Sequence, residues 1–191
     1  MSILEVNTIN PQSGNDVTIG GSSKNVKFAS GTTVDFSTNT PTLTLGAAMK
    51  NSPVFSAVLT GGLQSISSDT TTKVSLNSVL VDTDSGWDSS NYRWTVPSGK
   101  GGNYFIGAVL EGYSGSNNIS KFRIQIKVNG SVVHEMQQET GAQRHLGYSL
   151  PVIKALSASD YVELFGFITG TSPNFRGDVT TCSLSIAKMI T

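Results

Sequence analysis

A chain of 191 residues can hold one ordinary domain and an appendage. Thirteen basic residues balance thirteen acidic ones, and charged residues are only 14% of the total. This excludes an electrostatic grip on nucleic acid or on an anionic membrane as the organising function.

The first residues, Met1-Ser2-Ile3-Leu4-Glu5, turn polar at once, without the basic start and long apolar run of a secretion signal. No stretch approaches a membrane span, so no membrane insertion is expected. A two-apolar triplet then recurs as Val17-Thr18-Ile19, Val26-Lys27-Phe28, Val34-Asp35-Phe36 and Leu43-Thr44-Leu45, at steps of nine, eight and nine residues. Turn-forming clusters such as Gly20-Gly21-Ser22-Ser23 and Ser30-Gly31-Thr32-Thr33 separate the triplets. A strand that short buries too little to offset the entropy of ordering it, so such units become stable only when stacked or wound with sister chains. Residues 1–50 are therefore expected to form a β-repeat stem and anchoring segment. Its apolar positions are Ile3, Leu4, Val6 and Ile9, followed by the triplet residues Val17, Ile19, Val26, Phe28, Val34, Phe36, Leu43 and Leu45. The alternative for the same residues is a structureless Ser/Thr/Gly linker.

From Phe55 the pattern changes to longer alternating runs, which mark a separate head over 53–191. Strands are predicted at Phe55–Leu59, Thr72–Leu80, Tyr92–Val96, Gly102–Glu111, Ser120–Val128, Ser131–Gln137, Gly147–Ile153, Tyr161–Ile168 and Cys182–Met189. The clearest alternation is Phe122-Arg123-Ile124-Gln125-Ile126-Lys127-Val128, with one face for a core and one for water. Asn129-Gly130 after it is a strong hairpin signal, because both residues accept the positive φ of a tight turn. Many strands without helical periodicity predict an all-β, antiparallel two-sheet sandwich. Cys182, the single cysteine, lies in the last alternating segment, where it reads as a small buried hydrophobe.

The chemistry-bearing residues are sparse. Asp82, Asp84 and Asp88, around Gly86, have the alternate acidic spacing of a calcium loop but lack the later bidentate Glu. The favoured alternative is a polar loop between strands with an aromatic plug, since Asp is common in loops for turn reasons alone. His134 and His145, the only imidazoles, have no metal-ligand spacing and read as surface or interface residues. There is no Gly-x-Ser-x-Gly elbow and no phosphate-cradling glycine loop. No cofactor and no enzymatic activity are expected.

Val54-Phe55-Ser56-Ala57, Trp87-Asp88, Tyr92-Arg93-Trp94-Thr95-Val96-Pro97, Gly102-Asn103-Tyr104-Phe105, Lys127-Val128-Asn129-Gly130 and Leu156-Ser157-Ala158-Ser159-Asp160-Tyr161-Val162-Glu163-Leu164 fall in an order that resembles the globular heads of the complement component one-q and tumour necrosis factor superfamily. The resemblance covers most of Pro53 to Thr191 and implies a jelly roll that assembles as a homotrimer. The chain departs from it in two ways: the Pro97 to Gly102 spacing is longer, and no collagen Gly-X-Y stem precedes the head. The N-terminal run Leu4-Glu5-Val6-Asn7-Thr8-Ile9-Asn10-Pro11, with Ser13-Gly14 and Val17-Thr18-Ile19-Gly20, is similar to the leader of structural proteins from tailed phages. That likeness implies a virion surface protein made in the host bacterial cytoplasm, with capsid or tail proteins as partners. Two roles are compatible with it: a trimeric capsid decoration or head fibre, and a tail-fibre or spike module recognising a host surface glycan. Tyr113, Tyr148 and Phe175, aromatics set among polar residues, are candidates for trimer or ligand contacts, the alternative being that they plug the sandwich.

Overall fold

The computed structural model describes residues 52–189. The predicted stem, 1–50, with its apolar positions from Ile3 to Leu45, lies outside the described residues.

Thirteen strands and no helix make up the regular structure of the described residues. One sheet contains β1 (Val54–Val58), β2 (Gly62–Ser65), β4 (Ser78–Asp82), β7 (Gly102–Tyr113), β10 (His145–Leu156), β12 (Asn174–Gly177) and β13 (Ser183–Lys188). The other contains β3 (Thr72–Lys73), β5 (Trp87–Asp88), β6 (Arg93–Thr95), β8 (Ile119–Val128), β9 (Ser131–Gln143) and β11 (Tyr161–Thr169). All pairings are antiparallel. β7 is the spine of the seven-stranded sheet. One of its edges pairs with β10 from Gly102↔Leu156 to Tyr113↔His145, and the other is shared by β13 and then β12. The chain passes from β7 to β8 in the opposite sheet, turns back as β9, and returns as β10, the interleaving that makes a sandwich a jelly roll.

Period-two alternation explains the core. Tyr104, Ile106, Ala108 and Leu110 of β7 face Phe122, Ile124 and Ile126 of β8 and Val162, Leu164 and Ile168 of β11, all buried. Each of the Val, Leu, Ile and Phe side chains among them contributes roughly 1.5–3 kcal/mol relative to exposure. Packing between the sheets leaves no room for a side chain at Gly166, where a Cβ would stand 2.5 Å from Leu110 Cδ2 and 2.6 Å from the Phe175 ring. The Asn129-Gly130 turn forms as expected, with φ of 52° and 78°, closing Val128 onto Ser131.

The structure departs from the sequence expectations in three places. The run Thr72–Leu80 is two strands in different sheets, because Val74 and Leu76 both enter the core while the chain crosses between layers. β9 continues past Gln137 to Gln143, carried by its ladder with β8 rather than by any apolar pattern of its own. The short strands β2 (Gly-Leu-Gln-Ser), β5 (Trp-Asp) and β12 (Asn-Phe-Arg-Gly) were not expected, being too short to show an alternating pattern.

Candidate functional site

In the acidic loop after β4, Asp82 and Asp88 accept backbone N–H groups. The Asp82 carboxylate accepts the N–H groups of Gly86 at 3.1 Å and Trp87 at 3.0 Å. Asp84 accepts from the Thr83 hydroxyl and pairs with Lys100 at 3.0 Å, and these contacts hold its carboxyl below the usual range. Asp88 accepts from the Asn91 side chain and from the N–H groups of Ser90 and Asn91. Those bonds, with Arg93 nearby, lower its pKa. No cluster of three or more His, Cys, Asp or Glu able to hold a metal occurs among the described residues. The calcium reading of Asp82, Asp84 and Asp88 draws no support from this arrangement, in which each carboxylate already has its own donors.

The three aromatic candidates separate. Phe175 has no exposed surface; its ring lies against Gly166 inside the sandwich, so its assignment as a trimer or ligand contact is corrected to a core role. Tyr148 on β10 is half-buried, packed on Phe122 with ring centroids 5.7 Å apart. Tyr113, at the end of β7, stays on the outer face of the seven-stranded sheet, beside its register partner His145 with centroids 5.0 Å apart.

Around Tyr113 the topology gathers residues far apart in the chain. The Arg144 guanidinium donates to the Tyr113 hydroxyl at 3.0 Å and lies over its ring at 5.5 Å. One oxygen of Glu111 is 2.7 Å from His145 Nδ1 and accepts from Arg176 Nη1 at 3.1 Å. Glu111 raises the Arg176 pKa, first through that hydrogen bond and then through its charge. β7, the β9–β10 turn and β12 supply these groups, and Leu63 of β2 flanks Arg176 as its register partner. Of this cluster only Tyr113 was singled out by sequence reasoning as a contact candidate. His145 was placed at a surface or interface, and nothing local in the sequence marks Glu111, Arg144 or Arg176.

The rest of the same outer face is uncharged. Ile153, Phe105 and Ala187 lie in one cross-strand row, Pro151, Gly107 and Ser185 in the next, and Ser149, Val109 and Ser183 in the third. Phe105 is 44% and Ile153 61% exposed. β9 is exposed along its length except at Val133 and Thr140, with Val132 and Met136 among its exposed apolar residues.

No known sequence family matches the chain, and no curated protein does. Solved structures do match. The globular domain of zebrafish complement 1qA protein superposes with a TM-score of 0.52 at 14% identity, over 73% of this chain and 98% of that one. Murine APRIL at pH 5.0 superposes with a TM-score of 0.52 at 12% identity, over 71% of this chain and 98% of that one. The head is therefore a jelly roll of the complement one-q and tumour necrosis factor type. At these identities the likeness is one of fold.

Proposed function

We propose that the chain is a bacteriophage virion structural protein, a homotrimer whose jelly-roll heads project from the particle as a capsid decoration or head fibre, with the β-repeat segment as stem. It acts by attachment and assembly rather than catalysis. The observation that carries the self-association is the outer face of the seven-stranded sheet, where three consecutive rows hold no charge and Phe105 and Ile153 stand side by side in solvent. Contiguous apolar surface of this kind marks an interaction site, and burying it stabilises association at roughly 25 cal/mol per Å². Small residues, Gly107, Ser183 and Ser185, keep the face flat enough for close approach. The near-zero net charge removes repulsion between identical copies. The virion placement is supported by the leader and the repeat pattern of 1–50.

Light scattering on the full chain should return about three times the 20.1 kDa chain mass; a stable monomer overturns the trimer. Immunogold labelling of purified particles with antibody to the full chain should decorate capsid or tail, and unlabelled particles overturn the virion assignment. A second reading, a receptor-binding module for a host surface glycan, is favoured by one feature: Tyr113 and its basic neighbours line open concavities at the end of the uncharged face.

A further inference from the structure

We infer that the corner formed by Tyr113, Arg144, His145 and Arg176 binds an anionic saccharide. The inference gives the receptor-binding reading its site and its ligand class, and rests on that reading.

Leu63, Tyr113, Arg144, His145 and Arg176 line a concavity of about 430 Å³. A second, of about 540 Å³, adjoins it at His145 and runs along Glu111, Gly147, Ser149, Thr180 and Thr181. Both are of ligand size and open to solvent, a shape that receives a stretch of polymer rather than enclosing a small molecule.

The charge is unbalanced where the ligand would lie. Arg144 meets no carboxylate among the described residues; its one bond is to the neutral Tyr113 hydroxyl. Its remaining N–H groups form the planar fork that matches a carboxylate or a phosphate. The Tyr113 ring and hydroxyl fix the guanidinium beforehand, which reduces the entropy lost on binding. Arg176 and His145 are committed to one Glu111 oxygen, and Asp178 adds a further attraction on Arg176. The surplus positive charge is therefore at Arg144, on the rim.

The adjoining trough explains why a saccharide fits better than a peptide or a nucleic acid. Its hydroxyl-bearing residues Ser149, Thr180 and Thr181 lie with the apolar Val109, Leu110, Leu146 and Tyr148 along an open floor, the mixture of polar and apolar contacts that the hydroxyls and ring faces of a sugar require. Two guanidiniums and one imidazole are too few for a polyanion track. In a trimer three such corners would act together, so weak single sites would sum to useful avidity.

The test is biolayer interferometry with the full chain against three immobilised oligosaccharides: a uronic-acid oligomer, a phosphate-bearing sugar oligomer and a neutral hexose oligomer. Binding to either charged oligomer and not to the neutral one is expected, and the two charged arms distinguish carboxylate from phosphate. Arg144→Gln should weaken binding tenfold or more, the loss of a charge-assisted pair of hydrogen bonds. Glu111→Gln, which releases Arg176 from its competing carboxylate, should strengthen it several-fold. Light scattering and thermal melting on each variant check assembly and folding. If the wild type binds a charged oligomer but Arg144→Gln and Glu111→Gln leave that binding unchanged, the corner is not the site, although the receptor-binding reading stands. Equal binding of the neutral oligomer rejects charge as the basis of recognition. If no oligomer binds, the site and the receptor-binding reading both fall. If Arg144→Gln lowers the oligomeric mass, the corner is a seam between copies and the inference is wrong.

Discussion

β8 and β9 are partners in one hairpin, hydrogen-bonded from Val128↔Ser131 to Ile119↔Gln143, yet they have opposite environments. β8 sends Phe122, Ile124, Ile126 and Val128 into the core, whereas β9 has no buried residue. Backbone pairing alone therefore does not place a strand in the interior; a strand is buried when its alternate side chains leave water favourably. β9 carries Gln138, Met136 and His134 where β8 carries Phe122, Ile124 and Ile126, and so it is extended by its neighbour while only Val133 packs partly against the core. An exposed strand of thirteen residues is a liability in a free monomer, and this is why we read the region beside it as an assembly surface.

The register pair Ile124↔Met136 offers the sharpest contrast, since the two residues face each other across the hairpin at 0% and 40% exposure. Ile124→Ala should lower unfolding stability by about 2–5 kcal/mol, the loss of buried contacts plus the cavity left behind. Met136→Ala should change it by less than about 0.5 kcal/mol. Urea denaturation of both variants measures the difference, and equal losses would erase the distinction between the two strands.

A charge placed in the uncharged rows tests the exposed side without touching the core. Ile153→Lys should reduce the particle mass toward that of a single chain while leaving the circular dichroism spectrum of a folded β-protein intact. A trimer of unchanged mass would move the interface elsewhere on the head.

Cys182 probes the buried side chemically. Burial pushes its thiol up to about 11, so at pH 8 the folded protein holds on the order of 100-fold less thiolate than a thiol of ordinary pKa, and the sulfur is also shielded. Iodoacetamide at pH 8 should leave it unmodified until the protein is unfolded in urea. Rapid labelling of the native protein would show that the β13 end opens locally.

The same contrast explains what the sequence discloses. Strands with one apolar and one polar face, such as β8 and β11, are visible in their alternation. The Asn129-Gly130 turn is visible in the backbone freedom of its residues. The second half of β9, Gln138-Glu139-Thr140-Gly141-Ala142-Gln143, has no such pattern, and its extended state depends on its ladder with β8. β2 and β12 are short strands held by long-range pairing, β12 lying between β2 and β7, and β5 is a two-residue edge paired locally with β6. The basic corner is illegible for the same reason: Leu63, Glu111, Arg144 and Arg176 converge only through β2–β12–β7–β10 pairing. Phe175 misled because a polar neighbourhood in sequence, Ser172-Pro173-Asn174, surrounds a residue that β12 turns inward.

The smallest expected effect concerns how the exposed hairpin is fastened at its tip. One Asp160 oxygen accepts from Asn129 Nδ2 at 2.7 Å and the other from the Ser157 N–H at 2.8 Å, while Asn129 Oδ1 accepts from the Tyr161 N–H. The turn between β8 and β9 is thereby tied to the turn before β11. The Asn129 hydrogen bond is the main cause that lowers the Asp160 pKa, with the Ser157 N–H next. A depressed carboxyl contributes stability above its unfolded pKa and loses it as pH falls through the folded one, because only the unfolded state takes up the proton in between. Asp160→Asn should therefore melt slightly below the wild type at pH 7, by well under about 1 kcal/mol for a pair this exposed to solvent. The gap should close as pH is lowered through the carboxylate range and beyond. A gap that persists at pH 2.5 would mean that the shape of the turn, rather than the charge on Asp160, holds the hairpin to the buried sheet.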